Sequence, residues 1–255
     1  MVGRIDRERD ARGIETLWLD NPAHRNTLNN DLIDALAAAI RAAGADPDCR
    51  AILLRGRGGI FCAGRELRDL AAIMDADVQT ITATYHRLRL LNEALFDCPR
   101  PTIAVVERYA FGAGATLAAW CDIAIAEAEA LMAFPEVRHG IVPSPIVMAL
   151  MRGVPHKIAR ELMLTGRRFT GAEAADLHVV TRAVPKASLD EAVETTLGHI
   201  LAGSAPAIAR TKEFMAHAED ASYRSAMLSA VDSISIGLTD PETRRRIEGF
   251  LAGKR

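Results

Sequence analysis

The chain has 255 residues, 49% of them hydrophobic and 25% charged, enough apolar material for one buried core with an appendage. With 31 Lys and Arg against 33 Asp and Glu, the formal charge is −2. No global positive field exists to recruit nucleic acid or an anionic membrane surface. The opening Met1-Val2-Gly3-Arg4-Ile5-Asp6 is charged instead of apolar, and no later run of about 18 apolar residues occurs, so a cytoplasmic protein without a membrane partner is expected.

In chain order, residues 2–20 alternate as two strands about the polar turn Asp10-Ala11-Arg12-Gly13, a hairpin. Leu32, Ile33, Leu36, Ala37 and Ile40 recur at helical spacing behind Asn29 or Asn30 as N-cap, which predicts a helix over about 31–43. Short β-rich runs at Ala51–Arg55, Thr102–Val106 and Asp122–Ala126 alternate with helical or glycine-bearing stretches, as in βαβ units of a largely parallel sheet. Between the first two, Val78–Phe96 sets Ile81, Tyr85, Leu88, Leu91 and Leu95 on one side of a long helix that Asp97-Cys98-Pro99-Arg100-Pro101 ends. From residue 144 helical spacing prevails, near 144–152, 155–164, 187–202, 205–218, 222–236 and 241–251, with one strand at Val179–Val184. The fold class is α/β: a core over 1–190, then a helical C-terminal region over 191–255 within the same functional unit. Cys49, Cys62, Cys98 and Cys121 are too far apart for a Cys-x-x-Cys pair and are expected as small buried apolar residues.

Two glycine-bearing turns, each following an apolar β-like run, stand out: Gly56–Leu67 after Ala51–Arg55, and Tyr109–Ala115 after Thr102–Val106. Ala63-Gly64 and Gly112-Ala113-Gly114 permit close approach of a ligand to the main chain, and a helix starting near Gly114 would point its positive dipole end there. A dinucleotide fingerprint fails, since Leu117 stands where the third glycine is required and no suitably placed acidic residue follows. No P-loop pattern and no G-x-S-x-G nucleophile elbow occur. Glu136-x-x-His139 is too little for a metal site, which needs at least three protein ligands, so no metal is expected.

Phe61-Cys62-Ala63-Gly64-Arg65-Glu66-Leu67 and, about 50 residues on, Ala110-Phe111-Gly112-Ala113-Gly114 resemble the two oxyanion-turn motifs of the crotonase (enoyl-CoA hydratase/isomerase) superfamily. Leu19–Leu28, Cys121-Asp122, Phe134–Pro143 and Ile247–Leu251 resemble further stretches of that family, so the likeness spans nearly the whole chain. The resemblance implies a spiral of ββα units with C-terminal helices that mediate trimers, often paired into hexamers, with Phe250 and Lys254 near a neighbouring subunit's site. It implies that the backbone N–H groups of Arg65 and Ala113 form an oxyanion hole for an acyl thioester, and that coenzyme A, as part of the substrate and with no separate cofactor, runs along Arg25, Thr27, Ala63, Gly64, Arg65, Glu66 and Leu67. Gly112, Gly114 and His139 are expected near the acyl group.

The sequence departs from the family at one position. Its hydratases resemble one another in carrying two glutamates, of which only Glu136 is present; Thr116 occupies the other position. A hydroxyl whose pKa lies far above neutrality cannot serve as an ordinary general base. A single carboxylate can move one proton from C2 to C4 of a 3-enoyl thioester, so isomerisation of 3-enoyl-CoA to 2-enoyl-CoA is expected. Hydration by Glu136 alone, other enolate chemistry such as decarboxylation, or acyl-CoA binding without turnover remain as alternatives. Arg244-Arg245-Arg246 reads as a solvated helix face, not an RNA site.

Overall fold

A computed structural model describes residues 3–253, so Lys254 lies outside the described residues. The opening hairpin pairs β1 (Arg4–Arg9) with β2 (Ile14–Asp20) antiparallel, from Arg4 opposite Asp20 to Arg9 opposite Glu15. Helix α1 (Asn30–Ala45) begins where the Leu32 N–H donates to Asn29 Oδ1 at 2.8 Å, and it buries the predicted stripe Leu32, Ile33, Leu36, Ala37 and Ile40. There follow β3 (Ala51–Gly56), the short α2 (Leu67–Ala72), and α3 (Val78–Phe96), whose first turn is capped by Asp77. The middle of the chain runs through β4 (Thr102–Val106), β5 (Tyr109–Phe111), α4 (Ala113–Trp120), β6 (Ile123–Glu127) and β7 (Leu131–Ala133). Then come α5 (Ser144–Gly153), α6 (His156–Thr165), β8 (Arg168–Thr170), α7 (Gly171–Asp176), β9 (Arg182–Val184), α8 (Leu189–Ala202), α9 (Ala205–Asp220), α10 (Tyr223–Thr239) and α11 (Pro241–Leu251).

Six strands form the main sheet in the order β1-β2-β3-β4-β6-β9, parallel throughout except for the hairpin. Its central strands read as unbroken apolar runs because both faces are covered. Ile52, Leu54, Ala104 and Val106 pack toward α1, α3 and α4, while Leu53, Ile103, Val105 and Ile125 pack toward Leu189, Val193 and Leu197 of α8. Helix α8 therefore belongs to the sheet. The stretch that buries no residue begins only at α9, later than residue 191. Lys212 ties α9 down: its Nζ lies 2.6 Å from Asp122 Oδ2, an oxygen that also accepts from the Thr102 N–H and hydroxyl.

A second sheet, β5-β7-β8, was not legible in the sequence, since three-residue strands are too short to show alternation. The strand expected at Val179–Val184 is confined to Arg182–Val184. Helices α10 and α11 leave Tyr223, Leu228, Val231, Ile234, Phe250 and Leu251 exposed. Among the described residues, no helix is long and apolar enough to cross a membrane.

Candidate active site

The two glycine turns leave the C-terminal ends of β3 and β4–β5 and are stitched together by main-chain bonds. The Cys62 N–H donates to the Tyr109 carbonyl at 3.1 Å, and the Phe111 N–H returns to the Cys62 carbonyl at 3.1 Å. On the other side, the Leu28 N–H donates to the Gly64 carbonyl at 2.8 Å and the Glu66 N–H to the Leu28 carbonyl at 2.9 Å. This alternation leaves the intervening Arg65 N–H facing away from Leu28. Among the described residues it has no acceptor. Gly64 has φ +98°, and a Cβ there would stand 2.6 Å from the Phe111 carbonyl oxygen and 3.7 Å from the Ala113 nitrogen, so only glycine lets the turns approach this closely.

The second free donor arises from how α4 starts. Gly112, at φ +51° and ψ −118°, sends its own N–H to the Ala133 carbonyl at 2.9 Å and turns the chain into α4. Ala113 is the first helical residue, whose N–H has no intrahelical partner, and among the described residues it has none elsewhere. Arg65 and Ala113 thus present two unsatisfied backbone donors to the same cavity of about 790 Å³.

Arg25, Thr27, Ala63, Gly64, Glu66, Leu67, Gly112, Thr116, Glu136 and His139 also line that cavity. Gly114 does not. A Cβ on it would stand 2.8 Å from the Cys62 Cβ, so it is a packing glycine between α4 and the first turn, not a ligand contact. Arg25 is exposed in a left-handed backbone conformation, φ +53°. The Thr27 hydroxyl donates to Glu66 Oε2 at 2.8 Å, which holds the Glu66 carboxylate against the wall. His139 is exposed at the rim. Leu88 and Leu91 of α3, Leu117 of α4 and Ile146 of α5 give an apolar lining, into which Tyr85 and Asn92 introduce polar groups. Helical periodicity identified the α3 face; nothing in the sequence indicated that part of it opens onto a cavity.

Glu136 opens a 3-10 turn, Glu136–His139, with Pro135 separating it from the buried Phe134. Its carboxylate lies over Gly112, where a Cβ would stand 3.4 Å from its carboxyl carbon and closer still to Oε1. Oε2 is buried without a hydrogen-bond partner among the described residues. Burial pushes the Glu136 carboxyl above its ordinary range, and its own backbone N–H offsets this only in part. Thr116, four residues into α4, is 4% exposed, and its hydroxyl donates to the Gly112 carbonyl at 2.9 Å, the ordinary back-bonding of a helical threonine. That proton is committed to the helix.

A mostly parallel sheet carries two free main-chain donors and a buried carboxylate around a largely apolar cavity, the make-up of a small-molecule site. The chain matches the family model described as enoyl-CoA hydratase/isomerase over residues 9–242, and it belongs to that family. It is 31% identical over 247 residues to the mitochondrial enoyl-CoA hydratase domain-containing protein 2 of Bos taurus, covering 94% of this chain and 81% of that protein. The crystal structure of a Mycobacterium smegmatis enoyl-CoA hydratase superposes with a TM-score of 0.93 at 30% identity, over 98% of this chain and 97% of that one. Human enoyl-CoA hydratase domain-containing protein 3 superposes with a TM-score of 0.91 at 26% identity, over 98% of each chain.

Proposed function

We propose that this chain forms and stabilises the enolate of an acyl-CoA thioester, with the Arg65 and Ala113 N–H groups receiving the thioester oxygen and Glu136 as the single acid and base. The observation that carries this is a buried carboxylate with an oxygen that has no partner among the described residues, beside the cavity lined by two backbone donors likewise without one. Each donor of this kind is worth roughly 100- to 1,000-fold in rate, roughly 3–4 kcal/mol, because it is already oriented before charge develops. Coenzyme A would run past Arg25, Thr27, Ala63, Glu66 and Leu67, where exposed Arg25 offers its charge to a phosphate.

The reaction favoured is isomerisation of 3-enoyl-CoA to 2-enoyl-CoA. Glu136 takes the C2 proton, the electron pair delocalises onto the thioester oxygen and across the double bond, and the same carboxyl returns a proton to C4. Thr116 supports this choice because its hydroxyl is engaged with the helix backbone and supplies no second base. Hydration of 2-enoyl-CoA is the second reading, favoured by the names of the relatives. The exposed apolar face of α10 and α11 supports assembly into a homotrimer or hexamer, and nothing in the proposed chemistry calls for a further cofactor or for nucleic acid.

The test is direct. Purified protein should convert 3-hexenoyl-CoA to its conjugated isomer, and Glu136→Gln should lower that rate by about 100- to 10,000-fold. Fast hydration of 2-hexenoyl-CoA with negligible isomerisation would reject the isomerase assignment. Tight acyl-CoA binding with neither reaction would reject catalysis.

A further inference from the structure

The oxyanion role uses only the backbone of Arg65, which leaves its side chain to be explained. Nη2 donates to Asn30 Oδ1 at 2.7 Å and Nη1 lies 3.5 Å from the Leu28 carbonyl, while Nε is buried and finds no acceptor among the described residues. Arg7, Arg9, Arg12, Arg55 and Arg57 each face a carboxylate within ion-pair distance. Arg65 has no such pair among the described residues; Asp69 acts on it only from further off, and its Oδ2 already accepts the Asn30 N–H at 3.2 Å. Burial works against the guanidinium's charge, with Asp69 and Tyr85 pulling the other way. Both Arg65 and Tyr85 line the cavity. A half-buried cation without a counter-ion is unfavourable in the empty protein and becomes favourable when a ligand brings the missing anion.

We propose that Arg65 makes the site selective for acyl-CoA thioesters whose acyl chain ends in a carboxylate, with Tyr85 and Asn92 supplying polar contacts from α3. A guanidinium matches a carboxylate with paired, charge-assisted hydrogen bonds that a methyl terminus cannot make. This rests on the acyl-CoA reading of the same cavity, and the experiment separates the two. Dissociation constants are measured by calorimetry for succinyl-, glutaryl- and adipoyl-CoA against butyryl-, valeryl- and hexanoyl-CoA. Each pair shares its coenzyme A and chain length and differs only at the terminus. At least one dicarboxylic member should bind about tenfold or more tightly than its neutral partner, and Arg65→Met should bring that ratio to about one.

The ratio cancels any general damage from altering a residue of the oxyanion turn, and the unsubstituted protein alone decides for or against a carboxylate preference even where the variant does not fold. Neutral acyl-CoA binding without a carboxylate preference at any length would overturn this inference alone. A preference that persists in Arg65→Met, or equal weakening of both partners as expected for a contact to a coenzyme A phosphate, would also overturn it. No binding of either series would overturn the acyl-CoA reading itself.

Discussion

Gly112→Ala perturbs the proposed base without touching it chemically. The backbone at residue 112 sits at φ +51° and ψ −118°, outside the regions open to a residue with a Cβ, so alanine there costs about 1–3 kcal/mol in strain. The new methyl would stand 3.4 Å from the Glu136 carboxyl carbon and inside contact distance of Oε1. The carboxylate terminates a flexible side chain, so it yields by about 1 Å instead of breaking the fold, and misplacement on that scale at a reacting group costs about 100-fold in rate. Thermal unfolding should fall by roughly 2–10 °C for a chain of this size, measured by calorimetry or circular dichroism. In the isomerase assay kcat should drop about 100-fold while KM changes by less than about threefold, because the lost interaction serves the reacting proton and not ground-state binding. Wild-type kcat in a folded Gly112→Ala protein would refute the claim that this carboxylate works from where the structure holds it.

Other consequences follow from the same site. The Glu136 carboxyl is raised in the folded protein above its ordinary 4.5, so the stability it contributes is full below that pH and is lost as pH rises through the folded pKa. Glu136→Gln should therefore unfold at a higher temperature than wild type at about pH 8, with the gap closing near about pH 4; a gap independent of pH would refute the shift. The same raised value should appear as the acidic limb of kcat/KM, displaced above the ordinary carboxylate range. Thr116→Val removes only the hydroxyl bond to a carbonyl that keeps the Thr116 backbone N–H, so turnover should stay within about tenfold; a loss of about 1,000-fold would assign the hydroxyl a chemical step. All four cysteines are buried, with the thiols of Cys62 and Cys121 pushed up to about 12 by burial, so alkylation by iodoacetamide at neutral pH should wait on unfolding.

Long elements were legible because periodicity and punctuation agreed. Val78–Phe96 is helical over its full predicted length, since one apolar face and a terminal proline cluster mark both its register and its end. The hairpin and the parallel order of β3, β4 and β6 came through for the same reason. The small second sheet did not, because its strands are defined by partners distant in the chain and not by their own composition. At the site, the paired glycine turns were visible, but their glycines serve different ends: Gly64 and Gly112 hold positive φ, while Gly114 makes room for Cys62. The engagement of the Thr116 hydroxyl, the lack of a counter-ion for Arg65 among the described residues and the opening of the α3 face onto the cavity depend on tertiary contacts, and no local pattern encodes them.

Tracking protons in heavy water tests the enolate chemistry most directly. 3-Hexenoyl-CoA is incubated with the enzyme in D2O and the product followed by NMR. One hydrogen should leave C2 and one should arrive at C4 of the conjugated product, either the protium that the carboxyl took from C2 or a single deuteron exchanged onto it, with the conversion lost in Glu136→Gln. Starting from 2-hexenoyl-CoA, rapid appearance of a C3 hydroxyl with deuterium at C2, unaccompanied by exchange at C4, would contradict a single-carboxylate isomerase.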